Sequence, residues 1–213
     1  MNRRRLMALK KSGSSVGLPE GYTAVDYLQS SGTQWIEMGV APNQNTKAVL
    51  KIIINNFNAD YGTSLIGSRT GANSDDQFTT YLDIPVGSST RFLFRMDGQT
   101  ESISWKGLTT DKIYTVTLSG TEMKAELEDG TTVFSTTFSV SDFTSTLTMA
   151  LFRAKNVAGD YFQGRIYSCK HYNGNELIQD FVPCLDTNGV PCMFDLVSRK
   201  PFYNKGSGSF TWG

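Results

Sequence analysis

Apolar and polar side chains alternate with a period of two through much of this chain. Glu122–Glu128 reads EMKAELE, with Met123, Ala125 and Leu127 on one side and charges on the other. That spacing puts successive side chains on opposite faces of a strand. Ile113–Leu118 alternates in the same way, and Ser119-Gly120-Thr121 turns the chain between the two runs. Asp129-Gly130 is a strong hairpin signal leading into Thr131–Phe138. Further strands are predicted at Thr46–Asn55, Ser64–Ser68, Phe78–Ile84, Arg91–Met96, Glu101–Trp105, Thr146–Phe152 and Gly164–Tyr172. Helix signals are poor: Ala24–Leu28 offers one turn, which Ser30-Ser31-Gly32 ends. Roughly a dozen short strands at intervals of about 8–12 residues predict an all-β fold, an antiparallel two-sheet jelly-roll sandwich.

The last part of the chain carries a second hairpin. Gly164–Cys184 reads GRIYSCKHYNGNELIQDFVPC. Strict alternation places Ile166, Ser168, Lys170 and Tyr172 on one face and Arg165, Tyr167, Cys169 and His171 on the other. Asn173-Gly174-Asn175 supplies the turn, Leu177–Val182 returns, and Pro183 is expected to end the pairing. Cys169 and His171 share a face but give only two metal ligands, and Cys184 and Cys192 lie beyond a turn with no second histidine. The cysteines therefore read as small buried hydrophobes and His171 as a surface strand residue, with no metal site. In an oxidising medium Cys184 and Cys192 could bridge the Asp186–Gly189 turn.

Composition narrows the function. The chain has 213 residues, 39% hydrophobic and 19% charged, which suits one globular domain. Lys+Arg and Asp+Glu are both 20, so nothing in the balance asks for nucleic acid, and no apolar run is long enough to insert in a membrane. The charge is nevertheless uneven. MNRRRLMALKK at the start carries Arg3, Arg4, Arg5, Lys10 and Lys11 and no acid. The apolar run after the arginines, Leu6–Leu9, is too short for a signal peptide. Residues 1–17 thus read as a basic arm and flexible linker that dock on a larger assembly, and residues 18–213 as the sandwich.

Three chemistries are candidates. Glu126 and Glu128 have the strand spacing of a glycosidase carboxylate pair, but they stand on the solvated side of their strand beside a turn. Asp75-Asp76 lies in the polar stretch Thr70–Gln77, where calcium could find oxygen ligands, yet the spacing of a calcium loop is missing and no cofactor is expected. Aromatic rings can stack on sugars while amides and carboxylates meet hydroxyls. On that basis Trp35, Trp105, Tyr81, Tyr61, Asn73 and Asp76 are the candidate ligand-binding residues, and no catalytic residue is assigned.

A resemblance adds to this reading. LPEGYTAVDYLQSSGTQWIEMGVAPNQNT (Leu18–Thr46) resembles the opening of a concanavalin A-like (LamG-like) jelly-roll family found in phage and prophage virion proteins and gut bacterial surface proteins. Gly164–Gly213 is similar to that family's ending, with its hairpin, its DFVPC strand and its DLV and FYNKGSGSF close. The departures are Trp35, Gln179 and Cys192, where the family usually has Tyr, Arg and a small residue. The resemblance implies a non-enzymatic module of the virion surface, on a tail or head fibre, that attaches to host-surface glycans. The basic arm would join it to other virion proteins, and a homo-oligomer is expected. The alternatives are a glycoside hydrolase, a bacterial carbohydrate-binding adhesin, or a decoration protein that binds no ligand.

Overall fold

The computed structural model describes residues 17–57, 63–70, 76–83, 91–97, 107–155 and 161–213. The basic arm, the predicted strand Glu101–Trp105, and Tyr61, Asn73 and Trp105 lie outside the described residues.

The long alternating runs form the larger sheet. β4 (Thr46–Ile54), β8 (Ile113–Ser119), β9 (Glu122–Leu127) and β10 (Thr132–Thr137) join the closing hairpin of β13 (Gln163–Asn173) and β14 (Glu176–Leu185). With β15 (Pro191–Asp195) and β16 (Lys200–Tyr203) the order is β10-β9-β8-β4-β13-β14-β15-β16, every named pair antiparallel. Three short strands border it: β1 (Thr23–Ala24) on β14, β2 (Leu28–Ser31) on β13, and β17 (Thr211–Trp212) on β2. The predicted helical turn is therefore absent; its first residue, Ala24, ends β1 and its last, Leu28, starts β2, and the pairing partners of both strands lie far along the chain.

The second sheet is built from shorter pieces. β3 (Ile36–Glu37), β5 (Ile66–Ser68), β11 (Ala150–Leu151) and β12 (Ala154–Lys155) pair in the order β12-β5-β11-β3. The hairpin of β6 (Phe78–Asp83) and β7 (Arg91–Met96) attaches through a bridge between Thr63 and Leu82. The predicted strand Thr146–Phe152 contracts to β11.

One core lies between the sheets. Ala48, Leu50, Ile52 and Ile54 of β4, Val116 of β8 and Ile166 of β13 pack against Ile66, Phe78, Phe92, Phe94 and Leu151 of the other sheet. Burying each of the larger of these side chains contributes about 1.5–3 kcal/mol before entropy is charged against it. The alternation is exact enough to read directly: Thr46, Ala48, Leu50 and Ile52 are buried, while Lys47, Val49 and Lys51 are not.

Two details of the closing hairpin correct the sequence reading. A bulge falls between Ile166 and Ser168, so that Ile166 faces Ile52 while Ser168 faces Lys51. The extra residue shifts the alternation by one. Ile166, Cys169 and His171 consequently share the buried face, and His171 is only 1% exposed instead of lying on the surface. Pro183 does not end pairing: it faces Met193 inside β14. Its carbonyl accepts the Val25 N–H just after β1, so the proline falls where β14 borders only a two-residue strand.

Candidate functional site

Several connections gather at one end of the larger sheet. The turn before β4 is closed by Thr46 N–H on the Asn43 carbonyl and by Asn45 N–H on Asn43 Oδ1, both local bonds. The β8–β9 turn is closed by Ser119 Oγ, which accepts the N–H groups of Thr121 and Glu122. The β13–β14 turn has Gly174 at φ 59°, as Asn-Gly predicts, and Gly174 N–H donates to the Asn45 carbonyl at 2.8 Å. Gly120 is held close to the first turn: a methyl there would stand 2.7 Å from the Gln44 carbonyl oxygen and 2.8 Å from Val140 Cγ2.

These turns enclose a cleft of about 480 Å³ lined by Gln44, Asn45, Lys47, Glu122, Ser139 and Asn175, among others. The turns close through backbone groups and through Asn43, Thr46 and Ser119. Among the described residues, no hydrogen bond engages the side-chain amides of Gln44, Asn45 or Asn175. The residues lining the cleft thus include three whose side-chain amides are uncommitted, together with Glu122 and Ser139. Each amide can both donate and accept, which matches the two-way hydrogen bonding of a hydroxyl. Lys47 crosses one wall with its ammonium 5.5 Å from the centre of the Tyr172 ring.

The aromatic candidates lie elsewhere. Trp35, just before β3, packs partly into the core, and the Arg153 guanidinium stacks 4.8 Å from its ring centre and 5.0 Å from that of Tyr161. Tyr81 on β6 has the guanidiniums of Arg69 and Arg95 at 5.0 and 5.6 Å. A sugar stacking on either ring would have to share it with these cations. Asp76 Oδ1 accepts the Thr70 hydroxyl at 2.7 Å. Trp35, Tyr81 and Asp76 do not line the cleft at the end of the larger sheet.

The Glu126–Glu128 pair lines a shallower groove of about 290 Å³ with Lys51 and Thr115. Each carboxylate is 2.7 Å from an ammonium, Glu126 from Lys124 and Glu128 from Lys51. The hydrogen bond to Glu126 raises the Lys124 pKa above its ordinary value. Glu126 and Glu128 side chains keep 29% and 55% exposure. Both carboxylates are thus ion-paired and in part open to solvent.

The Cys/His residues separate into two environments. Cys169 lies in the main core, where burial holds its thiol well above the usual range. His171 Nδ1 meets Gln179 Oε1 at 3.1 Å, and Gln179 Nε2 donates to the Met38 carbonyl at 2.9 Å. Gln179 is thereby a buried bridge from the hairpin to the segment after β3. Cys184 and Cys192 belong to a separate small cluster with Phe194. No group of three or more potential metal ligands occurs among the described residues.

Sequence reasoning passed over Gln44, Asn45, Glu122 and Asn175. Their only sequence signal is turn chemistry, which is shared by every loop; what distinguishes them is that folding brings their turns together.

Two facing, mainly antiparallel sheets around one main core define the class: a jelly-roll sandwich of the concanavalin A-like type. Solved structures agree at the level of fold. A Bacteroides ovatus protein provisionally named as carbohydrate-binding superposes with a TM-score of 0.60 at 11% identity, covering 89% of this chain and 60% of its own. This chain therefore spans less than two thirds of that protein's length. A heptameric SAP-like pentraxin from Limulus polyphemus gives a TM-score of 0.51 at 12% identity, covering 90% of this chain and 93% of its own. No protein-family profile and no curated protein sequence matches the chain.

Proposed function

We propose that this chain is a non-enzymatic glycan-binding module whose sugar sits in the cleft lined by Gln44, Asn45, Glu122 and Asn175. The observation that carries the reading is that Gln44, Asn45 and Asn175 all line this cleft with no hydrogen bond from the described protein to their side-chain amides. The carbohydrate-binding name of the Bacteroides ovatus neighbour supports it. The finer setting is the surface of a phage particle, on a tail or head fibre. It rests on the family resemblance of the two ends of the sandwich and on the basic arm, whose five cations suit an acidic seat on another virion protein.

A glycan array on the full chain, followed by titration of the best hit, tests the binding claim. Each lost hydrogen bond is worth about 1 kcal/mol, or roughly fivefold. The Asn45→Ala/Asn175→Ala double variant is expected to bind tenfold or more weakly while melting like the parent. Unchanged affinity would reject this cleft, and an empty array would reject the glycan. Mass spectrometry of purified virions tests the setting; particles without the chain would contradict it.

The hydrolase reading draws on the groove that holds Glu126 and Glu128. The proposal expects no product from the array's glycans and unchanged binding by the Glu126→Gln/Glu128→Gln variant. Sugar cleavage by the parent, lost in that variant, would establish the hydrolase instead.

A further inference from the structure

The second, smaller cluster contains a pair of sulfurs that the glycan reading does not use. Cys184 and Cys192 face each other as direct partners across β14 and β15. Their Sγ atoms are 3.5 Å apart, and both residues are fully buried. Opposed residues of an antiparallel pair have Cα atoms about 4.5–5.5 Å apart, inside the range a disulfide spans. A disulfide needs the sulfurs at about 2.0 Å, so closing this gap takes side-chain rotation without moving either strand. Phe194, Leu18, Tyr22, Val182 and Leu196 wall the pair in. Only a small oxidant can enter without opening the hairpin.

We propose that Cys184 and Cys192 form a redox modification site, which a hydroperoxide converts to a cross-strand disulfide. The Cys184 thiolate attacks one peroxide oxygen; the O–O bond breaks, and a sulfenic acid forms as the departing hydroxide takes up the thiol proton and leaves as water. The Cys192 sulfur then attacks the sulfenic sulfur. The S–S bond forms, the S–O bond breaks, and the hydroxyl leaves as a second water with the Cys192 proton. The two thiols lose two electrons and the peroxide gains them. Either sulfur can donate across the 3.5 Å contact; the assignment of Cys184 as the attacker takes Cys192 as that donor, which lowers the Cys184 pKa, while the Cys184 contact and burial raise that of Cys192. Cys169 has no sulfur neighbour among the described residues and serves as an internal control.

The location gives the bond a consequence. Leu18 packs on this cluster, and the Gly17 carbonyl accepts a hydrogen bond from Arg199, whose guanidinium stands 5.5 Å from the Phe194 ring. A disulfide here would lock β14 to β15 beneath the contacts that hold Leu18.

The test treats the folded full chain with hydrogen peroxide, then alkylates in denaturant and maps peptides by mass. The expected product is a Cys184–Cys192 peptide pair lighter by two hydrogens, with Cys169 alkylated. Alkylation of all three cysteines would overturn the proposal, as would Cys184 or Cys192 appearing as an unlinked sulfinic or sulfonic acid. In Cys192→Ala the sulfenic acid on Cys184 has no resolving partner, so dimedone is expected to trap it. Absence of that adduct would overturn the order of attack, and the parent's peptide map stands whether or not the variant folds.

Discussion

At the scale of single residues, His171 makes the sharpest prediction. Burial lowers its pKa from the ordinary 6.5, and the Gln179 hydrogen bond only partly offsets this. The unfolded chain therefore binds the proton more readily than the folded one. Stability from the neutral ring is fully present above the unfolded value and is lost as pH falls below about 6.5 toward the folded value, at up to about 1.4 kcal/mol per pH unit. Because the chain has a single histidine, thermal melts between pH 7 and 5 isolate it. The parent is expected to lose stability over that range, and His171→Asn, which cannot titrate, is expected to lose much less. An equal slope in both would place the proton elsewhere. The burial of His171 was not legible in the sequence, because alternation counted straight through Tyr167 puts it outside with the wrong neighbours. The bulge belongs to the pairing with β4, and no local residue announces it. Gln179 was legible only as a departure from a family pattern; its role as a buried bridge required the positions of both His171 and Met38.

Among the elements, legibility tracked length. β4, β8, β9, β10 and β13 were visible because each carries enough alternation to define a face on its own. In the second sheet β5, β6 and β7 were visible too, and β11 lay inside the longer predicted strand Thr146–Phe152, whereas β3 and β12, two residues each, were not, because long-range partners rather than local propensity make them strands. The Asp129-Gly130 and Asn173-Gly174 turns were legible because positive φ demands those residue types, and Gly130 and Gly174 adopt φ 84° and 59°. Gly164 marks a tighter constraint. A methyl there would run into the Ile53 carbonyl oxygen and stand 2.5 Å from Phe162 Cζ, since β13 is squeezed between β4 and β2. Gly164→Ala is expected to cost about 1–3 kcal/mol or more in a denaturant melt. Gly39→Ala has open space and faces only the penalty of φ 76°, about 1–2 kcal/mol, so it should cost no more than Gly164→Ala. The reverse order would show that packing at the start of β13 is looser than described.

For the whole molecule, the jelly roll was legible from strand number and turn spacing, while the cleft was not. Its walls come from separate connections, and only the closed fold reveals that Asn45, Gly120 and Asn175 meet. Trp35 and Tyr81, two of the aromatic residues singled out in the sequence, carry arginines on their rings. Removing residues 1–16 is expected to leave the melting temperature of the sandwich unchanged while abolishing incorporation into particles; a truncated chain that still assembles would remove the docking role. The central claim concerns where the sugar sits. Backbone amide chemical shifts of the isotopically labelled chain, followed while the best array glycan is titrated in, answer it directly. The account predicts shifts that saturate at Gln44, Asn45, Gly120, Glu122, Gly174 and Asn175. Shifts confined to Trp35, Tyr81 and their neighbours on the second sheet would contradict it.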